Sequence, residues 1–168
     1  FRSDRLSSDV GRAKLLDDSA KETSFAVMSC SNFPAGYFNV YEACAYEEID
    51  FWIHLGDYLY EYPMDGYATE NAQLLNRIPE PHHEILTLSD YRKRHAQYKK
   101  DPQSQLLHAT HPLIAVWDDH EITNDTWKYG AENHDASEGS FLERKSNAIK
   151  AYLESVSYTH LTLPTNPE

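Results

Sequence analysis

A chain of 168 residues, 40% hydrophobic and 12% aromatic, has the length of one domain and enough apolar material for a core, which excludes compositional disorder. Its 27 acidic against 15 basic residues give a formal charge of −12; no nucleic-acid-binding surface is expected, because a polyanion needs basic side chains to release its counterions. Two cysteines, Cys30 and Cys44, are too few for a disulfide framework and lack the spacing of a CxxC pair or zinc ribbon, and no run of about 18 apolar residues offers a transmembrane helix.

Residues 1–23 are polar and charged without a sustained period and read as an arm or the tail of a preceding module. From Ser24 the texture changes. Phe25-Ala26-Val27-Met28 is an apolar run ending at Ser29-Cys30, the pattern of a buried strand. Pro34, Ala35 and Gly36 mark a loop, after which Asn39 is placed to cap a helix presenting Val40, Ala43 and Cys44 on one face. Ile49 to Leu55 is a second apolar run, closed by Gly56. Strand, helix and strand within about 35 residues make a βαβ crossover, with the two strands parallel neighbours. Ligands of open α/β sheets gather at the carboxyl ends of strands, where Cys30 and Asp57 fall.

Residues 61–88, with Pro63, Gly66, Pro79 and Pro81, are too irregular for a strand or long helix, and long ordered loops tend to cover sites. Ser89 is placed to cap a helix through Tyr91, Arg92, His95 and Tyr98, which Asp101-Pro102 interrupts before Leu106 and Leu107 resume it. Leu113 to Trp117 is a third apolar run, opening onto the polar stretch Asp118 to Asp125. A last helix is expected from about Glu138 to Glu154, with Phe141, Lys145, Ala148, Ile149, Tyr152 and Leu153 near one stripe. The text from Ser155 onward fits nothing before it and resembles translated sequencing-adapter read-through, so His160 is not recruited as a ligand. The chain does not begin with Met and reads as an internal piece of a longer protein.

Asp57 follows an apolar strand and a glycine, which brings a carboxylate to the sheet's edge where a cation can reach it. Three residues on, Tyr60 offers a hard phenolate to a trivalent ion, or packs with Tyr58 and Tyr62 in an aromatic turn. Cys30 offers a thiolate or serves as a small apolar filler. Asp118-Asp119-His120-Glu121 puts four ionisable groups at the mouth of a core, which is costly unless they are paired or metal-bound. Asp119 and Asn124 are both oxygen donors for a divalent ion; His120 is placed to ligate, to donate a proton to a leaving group, or to stabilise the transition state. His82, His83, His95, His108, His111 and His134 read as surface or loop residues. Arg92 and Lys128 are placed either near a phosphate or in surface pairs.

Together these segments resemble the alkaline phosphatase D (PhoD-like) family, a branch of the calcineurin-like metallophosphoesterases. The resemblance runs through Phe25 to Cys30, Ala35-Gly36-Tyr37-Phe38, His54 to Tyr62, Asp90-Tyr91-Arg92, Gln97 to Pro102, Trp117 to Glu121 and Gly130 to His134. It implies an α/β fold, part of an αββα sandwich with βαβ units, and hydrolysis of phosphate mono- or diesters by a metal-bound hydroxide in an exported protein (periplasmic, cell-surface or extracellular). It implies Fe3+ bound by Cys30, Asp57 and Tyr60, with Ca2+ reached by Asp57 and Asn124. The superfamily's Gly-Asn-His-Glu block is replaced by Asp118-Asp119-His120-Glu121, so Asp119 and Asn124 both stand for the asparagine's ligand role, and His120 stands as the catalytic residue.

On this reading residues 1–23 are a linker from an N-terminal β-sandwich module, 24–154 the N-terminal part of the catalytic domain, and 155–168 the foreign tail. Family members carry further ligands on later strands, so the fragment is expected to hold about half of a metal site and to be inactive alone. The rivals are a non-catalytic metal- or phosphate-binding module and an inactive truncated fragment.

Overall fold

In the computed structural model, which describes residues 2–3, 6–7, 10–12 and 19–156, the chain opens with a short antiparallel pair, β1 (Arg2–Ser3) and β2 (Leu6–Ser7). The first apolar run then forms β3 (Phe25–Met28). Helix α1 (Asn39–Ala45) crosses to β4 (Phe51–His54), which lies parallel to β3 with Val27 opposite Ile53. The βαβ expectation is met. After α2 (Leu88–Lys99) and α3 (Pro102–Thr110) comes β5 (Leu113–Ala115), parallel to β4 on its other side, and α4 (Phe141–Ser155) ends the described chain. The sheet order is β3-β4-β5, so the strand that carries Asp57 at its end is central.

Strand alternation sends Met28, Trp52, His54 and Ala115 toward the helices, where Trp52 and His54 have no exposed surface. There α1 packs with α3 and α2 with α4. The opposite face bears Phe25, Val27, Leu55, Ile114 and Val116, each about half exposed. The expectation of a fully buried first strand is therefore half right: among the described residues only one face of the sheet is covered.

Three helices differ from expectation in their caps or buried faces. Helix α1 turns Tyr41 and Ala45 inward and leaves Val40 and Ala43 exposed, because the Tyr41 ring packs on Trp52 at 5.4 Å and buries more area than valine would. Asn39 is its first residue, not its cap, and accepts a hydrogen bond from Gln103 Nε2. Helix α2 is capped by Thr87, not Ser89, in a reciprocal capping box with Asp90. Helix α4 starts at Phe141 under a Ser140 cap and buries Arg144 and Ala151, whereas Leu153 faces out. Arg144 is drawn in by Glu84 (2.6 Å), the Tyr91 hydroxyl (3.1 Å) and the Asn133 carbonyl (3.0 Å).

The long irregular segment between β4 and α2 is held by buried Arg94. Its guanidinium donates to the carbonyls of Tyr60, Tyr62 (3.1 Å), Glu80 (2.9 Å) and Pro81 (3.0 Å). No helix among the described residues is long and apolar enough to cross a membrane.

Candidate metal centre

Three loops meet at the carboxyl ends of β3, β4 and β5, and the backbone there is strained. Cys30 and Asp57 both adopt positive φ, 58° and 53°, a left-handed conformation that costs a non-glycine residue roughly 1–2 kcal/mol. Gly56 takes φ 104°, and a Cβ there would lie 2.5 Å from the backbone nitrogen and Cβ of Asp118. Glycine is required at that contact, so the β4 and β5 loops pack with nothing between them. Such strain persists only where the surroundings over-determine it. Here backbone bonds link the β3 and β4 loops, Cys30 N–H to Gly56 carbonyl (3.1 Å) and Ser31 N–H to Asp57 carbonyl (2.8 Å). Glu121 links the β5 loop to β4, its carboxyl accepting from the N–H groups of Asp57 (3.1 Å), Tyr58 (2.5 Å) and Asp118 (2.7 Å).

These fastenings bring Cys30, Asp57 and Tyr60 together. The Cys30 thiol (3.4 Å) and the Tyr60 hydroxyl (3.3 Å) both donate to Asp57 Oδ2, while Asp57 Oδ1 is buried without a partner. Ligand atoms of Asp57, Asp119 and His120 all lie within 4.8 Å of one another. At that separation two carboxylates repel by roughly 3–4 kcal/mol at an effective dielectric near 20. Burial, and then the neighbouring Asp119 and Asp118, push the Asp57 carboxyl above its usual range, against the pull of His120 and Cys30. Burial first and the Asp57 carboxylate second push the Tyr60 phenol far up, so only a strongly charged cation would ionise it.

His120 sits over a different kind of carboxylate. Glu61 has no exposed surface and accepts from His120 Nδ1 (2.7 Å), Asn124 N–H (2.8 Å), Asn133 Nδ2 (2.9 Å) and Thr123 Oγ1 (3.1 Å). Burial works to raise Glu61, but the His120 and Asn124 hydrogen bonds outweigh it and hold the carboxyl low. Burial likewise works to lower His120, and the Glu61 bond and charge, with Asp57 and Asp119, hold it above its ordinary value. With Nδ1 committed to Glu61, Nε2 is the nitrogen left for the cluster. The ring is fixed between Tyr60 (4.2 Å) and Tyr62 (5.5 Å).

Of the residues singled out from sequence, Cys30, Asp57, Tyr60, Asp119 and His120 converge. Asn124 stands beside them by its backbone, but its amide nitrogen turns to Glu132 (3.0 Å) and Asp125 (3.4 Å). Asp119 Oδ2 accepts from the Asp125 N–H at 2.5 Å. The four-residue acidic block divides its work: Asp118 is exposed, Asp119 and His120 reach the cluster, and Glu121 turns inward to hold backbone. Arg92 pairs with Glu154 on the surface (2.7 and 2.8 Å) and Lys128 lies over Tyr129, so neither stands at the cluster. Two histidines read as surface residues turn inward: His95 is fully buried between α2 and α4, and half-buried His108 bonds the Tyr58 hydroxyl at 2.8 Å. Burial lowers both to about 3. Sequence reasoning missed Glu61 and gave Glu121 no role of its own within its block; the one signal for Glu61 was a carboxylate inside an aromatic turn, where a buried charge must find donors.

An open cleft of about 420 Å³ lies between the end of β3 and α1, lined by Val27, Cys30, Asn32, Gly36, Tyr37 and Val40, and reaches the cluster only at Cys30. Residues 25–164 match the PhoD-like phosphatase family model. Alkaline phosphatase D of Bacillus subtilis (strain 168) is 34% identical over 171 residues, covering 100% of this chain and 29% of that protein. A solved structure of PhoD is 35% identical with a TM-score of 0.73, covering 87% of this chain and 27% of its own. The chain thus spans less than a third of the length of these relatives.

Proposed function

We propose a function from one premise, that the chain belongs to the PhoD-like phosphatase family: its strand ends are part of a metal-dependent centre that hydrolyses phosphate mono- or diesters. The observation that carries this reading is Asp57 Oδ1, a buried carboxylate oxygen without a partner, at the meeting point of a thiol, a phenol, a second carboxylate and an imidazole. That donor set fits a highly charged cation, because such an ion relieves the repulsion between Asp57 and Asp119 and ionises the Tyr60 phenol that burial keeps neutral. Cys30, Asp57 and Tyr60 would hold Fe3+. Asp57 with Asp119 and Asn124 would hold Ca2+. When bound, the cations supply Lewis acidity toward a phosphoryl oxygen and lower the pKa of water.

The chain's own residues do the rest. Glu61 accepts a hydrogen bond from Nδ1 of His120 and, by its charge, favours the imidazolium, so Nε2 presents a proton toward the leaving-group oxygen of an ester. Tyr60 and Tyr62 fix the ring's plane. The cleft beside Cys30 gives the ester room. Export of the protein belongs to the same reading.

A second reading is cation and phosphate binding without turnover. Metal analysis with turnover of bis-p-nitrophenyl phosphate separates the two. The proposal expects iron and calcium uptake that Asp57→Ala abolishes, with turnover in a protein that carries the full family domain; uptake by Asp57→Ala equal to the parent's overturns it.

A further inference from the structure

His54, the last residue of β4, has no exposed surface and its ring packs edge-on against Trp52 (6.2 Å), Tyr41 (6.5 Å) and Tyr58 (5.2 Å). An apolar ring would fill that space equally well. What the imidazole adds is a pair of hydrogen bonds to two different loops. The Gly56 N–H, which can only donate, meets Nδ1 at 3.3 Å. Nδ1 is therefore unprotonated, Nε2 carries the ring hydrogen, and that hydrogen goes to Ser31 Oγ at 2.9 Å. Ser31 Oγ in turn meets the Tyr41 hydroxyl of α1 at 2.5 Å. Gly56 precedes Asp57 and Ser31 follows Cys30, so one ring grips the neighbours of both left-handed residues.

We propose that His54 is a positioning residue: by bonding Gly56 and Ser31 at once it holds Asp57 and Cys30 in their strained conformations and sets the 3.4 Å approach of Cys30 Sγ to Asp57 Oδ2. Glu121 does the corresponding work between the β4 and β5 loops, so the central loop is fastened from both sides. The role of this spacing in cation binding rests on the proposed function; the role of His54 in setting it does not. A donor pair held to within a fraction of an ångström is what a cation needs from its protein, and the locked ring supplies that constraint without touching the cation.

Hydrogen exchange by mass spectrometry on the metal-free chain tests the inference. His54→Phe keeps the packing and removes both bonds; exchange is expected to rise at least about tenfold in residues 29–32 and 55–59 and to stay unchanged in α2 and α4. His54→Gln retains an Nε donor and should restore 29–32 but not 55–59. Ser31→Ala cuts one arm at the loop, leaves the sheet interior intact, and should loosen 29–32 alone. A rise spread evenly over the loops, α2 and α4 would mark a packing residue and overturn the proposal, as would unchanged loops in both His54→Phe and Ser31→Ala. Ferric titration followed by visible absorption should then show uptake weakened by about tenfold in His54→Phe. A parent chain that takes up no ferric ion counts against the proposed metal site, while the exchange pattern still decides the role of His54.

Discussion

Asp57 and Glu61 are buried carboxylates on the same short turn, and their circumstances are opposite. Glu61 receives hydrogen bonds from an imidazole, a backbone amide, a side-chain amide and a hydroxyl, and is held below its usual range. Asp57 receives a thiol and a phenol on one oxygen, has nothing on the other, and is pushed up beside further acids. Burial alone therefore does not mark a functional carboxylate. Glu61 is complete within the chain and orients His120, whereas Asp57 keeps one oxygen without a protein partner, the place the proposed cation would take. The same turn thus holds a finished polar network and an unfinished one.

The sharpest way to break this contrast is to remove Glu61. Glu61→Ala leaves the Asn124 N–H and the His120 Nδ1–H without their acceptor, and a loss of about 3–5 kcal/mol is expected in urea unfolding. A loss under about 1 kcal/mol would show that Glu61 is no more integral than Asp57.

Cation binding gives the next largest effect. Added ferric or calcium ion at a hundredfold excess over Kd should stabilise the parent by about 2.7 kcal/mol, by mass action on the folded state. Asp57→Asn should lose that gain while unfolding cooperatively. A thermal shift that survives Asp57→Asn would place the cation elsewhere.

The smallest effect is the most discriminating, because the two carboxylates carry opposite signs in pH. Glu61 lies below its unfolded value of 4.5 and His120 above its 6.5, so their pair contributes fully between those values. It fades as pH falls through Glu61's folded value or rises through that of His120. Asp57 lies above its unfolded 3.8, so its ionisation costs stability as pH rises through the folded value. Asp57→Asn should therefore strengthen the metal-free chain at pH 7 by roughly 1 kcal/mol and leave it unchanged at pH 3. Thermal unfolding across that range checks it; a variant weaker at pH 7 reverses the sign assigned to Asp57.

Much of the frame was legible in the chain. Three apolar runs became three parallel strands, Gly56-Asp57 fell at the end of the central one, and Tyr60 came back to the same carboxylate. These features are local, set by alternation and by a glycine that only a tight approach requires. The helix faces were less legible. Tyr41 displaced Val40 from the core because its ring packs on Trp52, and Arg144 took a place on the buried stripe of α4 because its guanidinium found Glu84 sixty residues away. His95 and His108 were misplaced for the related reason that a neutral imidazole is tolerated inside a core and carries no sign of it in the sequence.

The sequence by itself determined the three strands and put a thiol, a carboxylate and a phenol at or just past their ends, since a strand's end and its side-chain alternation depend only on neighbours in the chain. Only the tertiary structure decided which of those groups are satisfied. Glu61 meets Asn124, Asn133 and His120, and Asp57 meets Glu121 through its N–H, from some 60 residues or more away. A hydrogen bond depends on position in space, and so the difference between a satisfied carboxylate and one left with a bare oxygen appears only when the three loops close on one another.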